Sequence, residues 1–198
     1  MNRAGCFLIV LYLLSLPACS MTMPETRMYS IYIPVERKAA NAVNSGSIVI
    51  HINSERYLKQ PYIAHRDSKY ELEISKYSKW DTSPVKIVRK EFKEGLASEG
   101  IFREVKAANI RPEDFYLIKI DLKRFERFDD GGDSFGMLEF DVRLASPDGK
   151  ELYSDTVSKK EVLDSTSFSS LAKGLSTALQ QAVEEVSANV VEALNKDN

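Results

Sequence analysis

The sequence contains very few of the residues that commonly carry out covalent chemistry. Two cysteines, two histidines and one tryptophan occur among its 198 residues. It has neither the Gly-x-Ser-x-Gly elbow of serine hydrolases nor a glycine-rich loop that binds phosphates or nucleotides. These absences argue against an enzyme, and we predict no catalytic residue and no cofactor.

The sequence also lacks an excess of charge of either sign. Lysine and arginine number 27 and aspartate and glutamate 29, which gives a formal net charge of −2. A nucleic-acid partner is therefore not predicted, because such a partner requires a basic surface. No repeat or low-complexity tract is present, and the hydrophobic fraction of 43% is ordinary for a globular protein.

Only one long apolar run occurs, over residues 6–16, and the basic residue Arg3 precedes it. At 1.5 Å per residue this run spans roughly 17 Å, well short of a bilayer core of about 30 Å. A basic start followed by a short apolar run is typical of a secretory signal peptide. We therefore predict a signal peptide over residues 1–18 rather than a transmembrane anchor.

The end of this segment, Leu16-Pro17-Ala18-Cys19, resembles the bacterial lipobox, although Pro17 is not the favoured residue at its position. Processing of a lipobox attaches a diacylglycerol to the thiol, so Cys19 is the predicted lipidation site. Two or three acyl chains, at about 0.8 kcal/mol per buried methylene, hold a protein stably on a membrane. The alternatives are a plain secretory signal that ends at Ala18 and an apolar segment with an incidental cysteine.

The residue after the cysteine indicates the membrane. Aspartate at this position commonly retains a lipoprotein in the inner membrane, so Ser20 favours the outer membrane. Residues 19–26 form the predicted lipidated tether, and the seven residues after Cys19 reach at most about 25 Å. We expect a single domain over residues 27–198 that faces the periplasm close to its membrane.

Two segments carry helical patterns. In the first, Ser83 is suited to the N-cap, Pro84 to the first helical position and Gly100 to the residue after the helix. The second and longer helix follows the cap candidates Ser165, Thr166 and Ser167. Its apolar residues recur at helical spacing; they are Phe168, Leu171, Ala172, Leu175, Leu179, Ala182, Val183, Val186 and Val190.

Alternating patterns rich in aromatic and β-branched residues predict strands elsewhere. The predicted strands cover residues 27–33, 47–53, 61–66, 69–75, 101–105, 114–128, 134–146 and 150–162. Residues 36–46 are predicted to form a loop or a short turn of helix. Strands and helices in this order predict an α+β or mixed α/β sandwich: a mixed, largely antiparallel sheet covered by two main amphipathic helices.

The candidates for chemistry are few, and each favours a structural role. His51 lies on an apolar strand. His65 is next to Arg66 and Asp67 in the sequence, but adjacent residues on a strand point to opposite faces, so these neighbours do not imply a catalytic pair. Asp129, Asp130 and Asp133 surround two glycines without the spacing of an EF-hand. We expect these aspartates to lie in a solvated connection between antiparallel strands, and we predict no metal site.

Residues 77–105 resemble the ABC-type transport auxiliary lipoprotein family of the PqiC/YmbA type. Its members typically have a tryptophan and then a proline that opens a helix, and a glycine and an aliphatic-Phe strand follow that helix. The matching residues here are Trp80, Pro84, Leu96, Gly100, Ile101, Phe102 and Val105. The later strand, hairpin and terminal helix follow in the family's order.

The resemblance implies a mixed sheet sandwiched by helices and an accessory role in lipid transport between the inner and outer membranes. The implied partner is the MCE-domain protein of a permease and ATPase transport system. Exposed sheet edges or self-association as a homo-oligomer would supply the docking surface. The alternatives are another envelope-assembly or wall-synthesis regulatory lipoprotein and, less favoured, a membrane-tethered hydrolase.

Overall fold

The computed structural model describes residues 24–34, 44–108 and 110–197. The predicted signal peptide, Cys19 and most of the tether lie outside these residues, as does most of the predicted loop over residues 36–46. Their roles therefore stay predictions.

The described fold contains eight strands and two α-helices. The strands are β1 (Arg27–Tyr29), β2 (Asn44–Ser54), β3 (Tyr62–Arg66), β4 (Glu73–Trp80), β5 (Phe102–Ala107), β6 (Phe115–Asp130), β7 (Asp133–Ala145) and β8 (Glu151–Val162). The helices are α1 (Pro84–Ser98) and α2 (Phe168–Asp197), and a short 3-10 turn covers Arg56–Lys59.

All eight strands form one sheet with the long strand β6 at its centre. Along one edge of β6, β2 pairs in parallel with the first half of the strand and β3 pairs in parallel with the second half. Along the other edge β7 pairs antiparallel to β6, and β8 pairs antiparallel to β7. The sheet extends from β2 to β5 and from β3 through β4 to β1.

Both helices pack on the same face of this sheet. Phe92 of α1 meets Phe140 of β7 edge-to-face, with ring centroids 5.6 Å apart. Leu175 of α2 lies directly over Gly136 of β7. Gly136 and Phe140 are four residues apart on one strand, so they point to the same side. The hydrophobic core fills the layer between this face and the helices.

The predicted α+β class is confirmed. The sheet is mixed, and its longest registers are the antiparallel ladders that join β6 to β7 and β7 to β8. Helix α2 begins at the predicted position, where the side-chain oxygen of Ser167 accepts a hydrogen bond from the backbone N–H of Ser170 at 3.2 Å.

Two strand predictions are wrong in their bounds. β1 ends at Tyr29 rather than at residue 33, because beyond it the backbone N–H of Tyr32 donates to the hydroxyl of Ser176 on α2 instead of to a strand. β4 covers Glu73–Trp80 rather than residues 69–75, because its pairing with β3 places Lys79 opposite Tyr62. The connection between β3 and β4 is consequently longer than the two-residue turn predicted at Asp67-Ser68.

Candidate functional site

Trp80 lies at the end of β4 and is completely buried. Its ring meets Phe125 of β6 edge-to-face at a centroid distance of 5.4 Å. The backbone on both sides is fixed, since Trp80 N–H donates to the carbonyl of Pro61 at 3.0 Å and Asp81 N–H donates to that of Tyr29 at 2.8 Å. Trp80 therefore joins three parts of the chain at the point where β4 leads into α1.

The other residues of the predicted motif shape the same connection. Pro84 is the first residue of α1, and the carbonyl of Ser83 accepts hydrogen bonds from the backbone of Lys86 and Ile87. The Ser83 side chain makes no capping hydrogen bond, contrary to the prediction, and only its backbone carbonyl bonds to the first turn of the helix. Gly100 has φ of 61°, which favours glycine. Phe102 is buried beside Tyr116 at a centroid distance of 5.5 Å.

The two histidines lie on opposite faces of the sheet. On the face away from the helices, His51 Nε2 lies 2.9 Å from Asn53 Oδ1, and the Asn53 amide donates to Asp121 at 3.0 Å. On the helix-covered face, His65 Nε2 lies 3.2 Å from Glu73 Oε2. The two rings therefore cannot act together, and the acidic neighbour of His65 is Glu73 across the hairpin rather than the adjacent Asp67.

The three aspartates surround the tight turn between β6 and β7. Gly131 and Gly132 have φ of 61° and 95°, which suits the turn that matches strand twist. Asp129 accepts a hydrogen bond from the Ser134 hydroxyl at 2.5 Å and pairs with Arg127 at 2.9 Å. Across the described part of the chain, no group of three or more His, Cys, Asp or Glu residues is arranged to hold a metal ion.

The face of the sheet away from the helices carries a row of charged and polar side chains. Lys123 of β6 donates to Asp141 of β7 at 2.7 Å, and the Thr156 hydroxyl of β8 donates to the same carboxylate at 2.7 Å. These two hydrogen bonds lower the pKa of Asp141. The row gives this face a polar surface suited to contact with water or with a polar partner.

Glu126 is a fully buried carboxylate on the face of the sheet away from the helices. Its burial could not be predicted from the sequence. Its Oε1 accepts hydrogen bonds from Arg66 Nε at 2.9 Å and from Arg124 Nε at 2.8 Å. The Tyr57 hydroxyl lies 3.3 Å from its Oε2. Burial, followed by the negative charge of Glu126, raises the pKa of Tyr57 to about 12.

The outer strand β8 presents a free edge, since among the described residues it pairs only with β7. Lysine side chains protect it, and Lys160 lies over the Phe135 ring at 3.6 Å from the centroid. Charged residues are a common protection of sheet edges against uncontrolled pairing. The exposed edge of β8 and the polar face are therefore two surfaces that the described fold offers to a partner.

These groups do not converge on a reactive centre. The motif residues pack the β4–α1–β5 connection, the histidines are separated by the sheet, and Glu126 is held by two arginines. Within the described residues, no helix has the length and apolar character needed to cross a membrane.

Solved structures with the same fold include a protein from Xanthomonas campestris, with a TM-score of 0.75 and 20% sequence identity. The match covers 86% of this chain and 98% of that one. A second structure, of an uncharacterized protein, has a TM-score of 0.66 and 13% identity over 84% of this chain and 99% of its own. At these identities the likeness concerns the fold.

A comparison with protein families gives a match over most of the chain. The model of the ABC-type transport auxiliary lipoprotein component matches residues 29–187. The matched range begins in β1 and ends in α2, so it includes every residue of the Trp80 connection and the whole of the sheet from β2 to β8. No curated protein matches this sequence.

Proposed function

Because the chain belongs to the family of ABC-type transport auxiliary lipoprotein components, we propose that it is a lipid-anchored, non-catalytic subunit of an MCE-type lipid transport system. In this role it is attached to the outer membrane through Cys19 and faces the periplasm. It binds the MCE-domain protein that works with the permease and ATPase, and lipids move between the inner and outer membranes through that assembly.

The observation that carries this proposal is the extent of the family match. Residues 29–187 include strands β2 to β8 in full and the last residue of β1. They also include most of α2. The auxiliary role therefore belongs to the whole domain rather than to a small motif. The described side chains support a binding role, because their charged groups pair with one another instead of forming an acid, base or nucleophile constellation.

The direction of β1 supports an orientation for the domain. β1 runs parallel to β4, with Arg27 opposite Ser78 and Tyr29 opposite Trp80. The chain therefore enters from the end of the sheet where β4 begins at Glu73. The β6–β7 turn lies at the same end, since His65 is paired with both Glu73 and Arg127. With a short tether, this end faces the membrane.

The opposite end of the sheet then faces the periplasm and the partner. There the β7–β8 turn is fastened to the end of α2, because Lys150 Nζ lies 2.6 Å from Asp197 Oδ1. Arg111 donates from its Nη2 to the carbonyl of Ser146 at 2.6 Å and ties a further loop to this turn. The unpaired edge of β8 extends to this end of the sheet. This edge is available for a partner strand or for a second copy of the chain.

The experiment is co-purification of the lipidated full chain with its cognate MCE protein from cells that express the transport system. The matched variant is Cys19→Ser, which separates membrane attachment from partner binding. We expect the wild-type chain to retain the MCE protein after detergent extraction. Absence of the MCE protein from both preparations would reject the transport role, whereas retention by Cys19→Ser would show that docking does not require the anchor.

A further inference from the structure

A cleft lies between the second half of α1 and the middle of α2 and encloses about 170 Å³. The two helices are in close contact beside it, because a Cβ placed on Gly95 would collide with Val183 Cγ1. Val183 supplies an apolar part of the wall, and Ile33 of the segment after β1 also lines it. The cleft is therefore narrow and combines apolar walls with a polar interior.

Carboxylates dominate the polar part of this cleft. Glu91, Glu94 and Glu184 all line it. Lys90 Nζ lies 2.8 Å from Glu91 and 3.5 Å from Glu94, so one lysine is shared between two carboxylates. That lysine is itself 62% exposed, which weakens its compensation of the buried Glu91.

Two further features make the cleft electronegative. Glu184 accepts a hydrogen bond from the neutral amide of Gln180 at 3.0 Å, which leaves its charge in place. The cleft also lies beside the end of α1, where the helix dipole contributes partial negative charge. The charge of Glu184 and the helix dipole both favour a cationic ligand. Since the described carboxylates do not gather into a metal-binding group, an organic cation fits better than a metal ion.

Ser187 provides an independent sign of a missing ligand. Its side chain is only 3% exposed and lines the cleft. Its Oγ is buried, and among the described residues it has no hydrogen-bond partner. Buried polar atoms are nearly always satisfied, and an orphan hydroxyl is destabilising. A ligand that brings N–H donors into the cleft would satisfy this oxygen.

We propose that the cleft receives the guanidinium side chain of an arginine from a protein partner. The apolar stem of arginine would lie against Val183 and Ile33, as long basic side chains commonly pack. Its five N–H donors suit a set of acceptors that consists of carboxylates and the Ser187 hydroxyl. A compact ammonium group, with three donors, satisfies fewer of these acceptors. The assignment does not depend on the transport role.

The test is a titration of the full chain in detergent with the peptide acetyl-Gly-Gly-Arg-Gly-Gly-amide, followed by ligand-observed NMR. The matched peptide contains citrulline, which keeps the shape of arginine but carries no charge. We expect the arginine peptide to bind saturably and at least about tenfold more tightly than the citrulline peptide. Equal affinity for both peptides, or no saturable binding of either, would overturn the proposal.

Variants locate the binding. Glu94→Gln and Glu184→Gln should each weaken binding of the arginine peptide several-fold, while Glu192→Gln, an exposed site on α2 that pairs with Lys196, should leave it unchanged. Ser187→Ala should weaken binding without lowering the melting temperature, because it removes an unsatisfied hydroxyl. Equal loss in Glu192→Gln, or no loss in the cleft variants, would overturn the assignment.

Discussion

The fully buried carboxylate of Glu126 lies 2.9 Å from the Nε atom of Arg66, which is sixty positions earlier in the chain. Arg124 binds the same oxygen from within β6 at 2.8 Å. β3 and β6 are parallel neighbours here, so this ion pair links the two strands on the face of the sheet away from the helices. Two partly exposed cations therefore surround one anion that has no contact with solvent.

Replacing Glu126 with glutamine should destabilise the protein by about 3 kcal/mol. Removal of one member of a buried ion pair typically costs about 3–5 kcal/mol, and the partial exposure of both arginines places the effect at the lower end. Urea denaturation followed by circular dichroism measures the change. Glu192→Gln is the control, because its exposed pair with Lys196 should contribute little. Equal midpoints for the two variants would contradict the prediction.

The Tyr57 hydroxyl should make stability decline at alkaline pH. Its pKa is raised from 10.0 to about 12 in the folded protein, first by burial and then by the charge of Glu126. The unfolded chain therefore releases this proton near pH 10, while the folded protein holds it to about pH 12. The stabilisation by the neutral hydroxyl is complete below pH 10 and is lost as the pH rises through 12.

This pH dependence can be isolated with Tyr57→Phe. The variant should show a shallower loss of unfolding free energy between pH 10 and 12 than the wild type. Tyrosinate absorbance at equilibrium provides a second measurement, since removal of Tyr57 should delete a step near pH 12 and leave the earlier steps. A spectrum in which the variant loses a step near pH 10 would show that Tyr57 titrates normally.

Trp80→Ala should cost about 3–5 kcal/mol of stability, the usual range for truncation of a buried aromatic side chain. The ring is fully buried against Phe125, and the change would leave a cavity where β4 leads into α1. Thermal unfolding followed by circular dichroism gives the effect. Tyr70→Ala is the matched control, because Tyr70 is 97% exposed. If Trp80→Ala melted like the wild type but lost its partner, Trp80 would belong to an interface instead.

Cys19→Ser should abolish lipidation and release the domain from membranes. The thiol is the predicted attachment point for the diacylglycerol, and serine keeps the size of the side chain while removing that nucleophile. Metabolic labelling with radioactive palmitate and fractionation after a carbonate wash measure the two effects. A labelled, membrane-bound Cys19→Ser protein would contradict the lipid anchor.

Local features were sufficient to predict the helices and a connection between antiparallel strands after β6. Pro84 and Gly100 bracket α1 because their backbone preferences act within one residue. The apolar stripe of α2 recurs at the helical period and is visible without any knowledge of its partners. The connection between β6 and β7 was predicted over residues 129–133, and the structure shortens it to a tight turn in which Gly131 and Gly132 have positive φ.

The sequence by itself also supplied the lipobox and the family resemblance, but the tertiary structure alone decided how distant residues meet. It placed β2 and β3 along the same edge of β6, ended β1 at Tyr29, joined His65 to Glu73, and enclosed Glu126 between Arg66 and Arg124. The helix–helix cleft arises in the same way, from Glu91 on α1 and Ser187 on α2. Periodicity reports which face a residue occupies within its own element, whereas strand order and helix packing depend on burial summed over the whole chain.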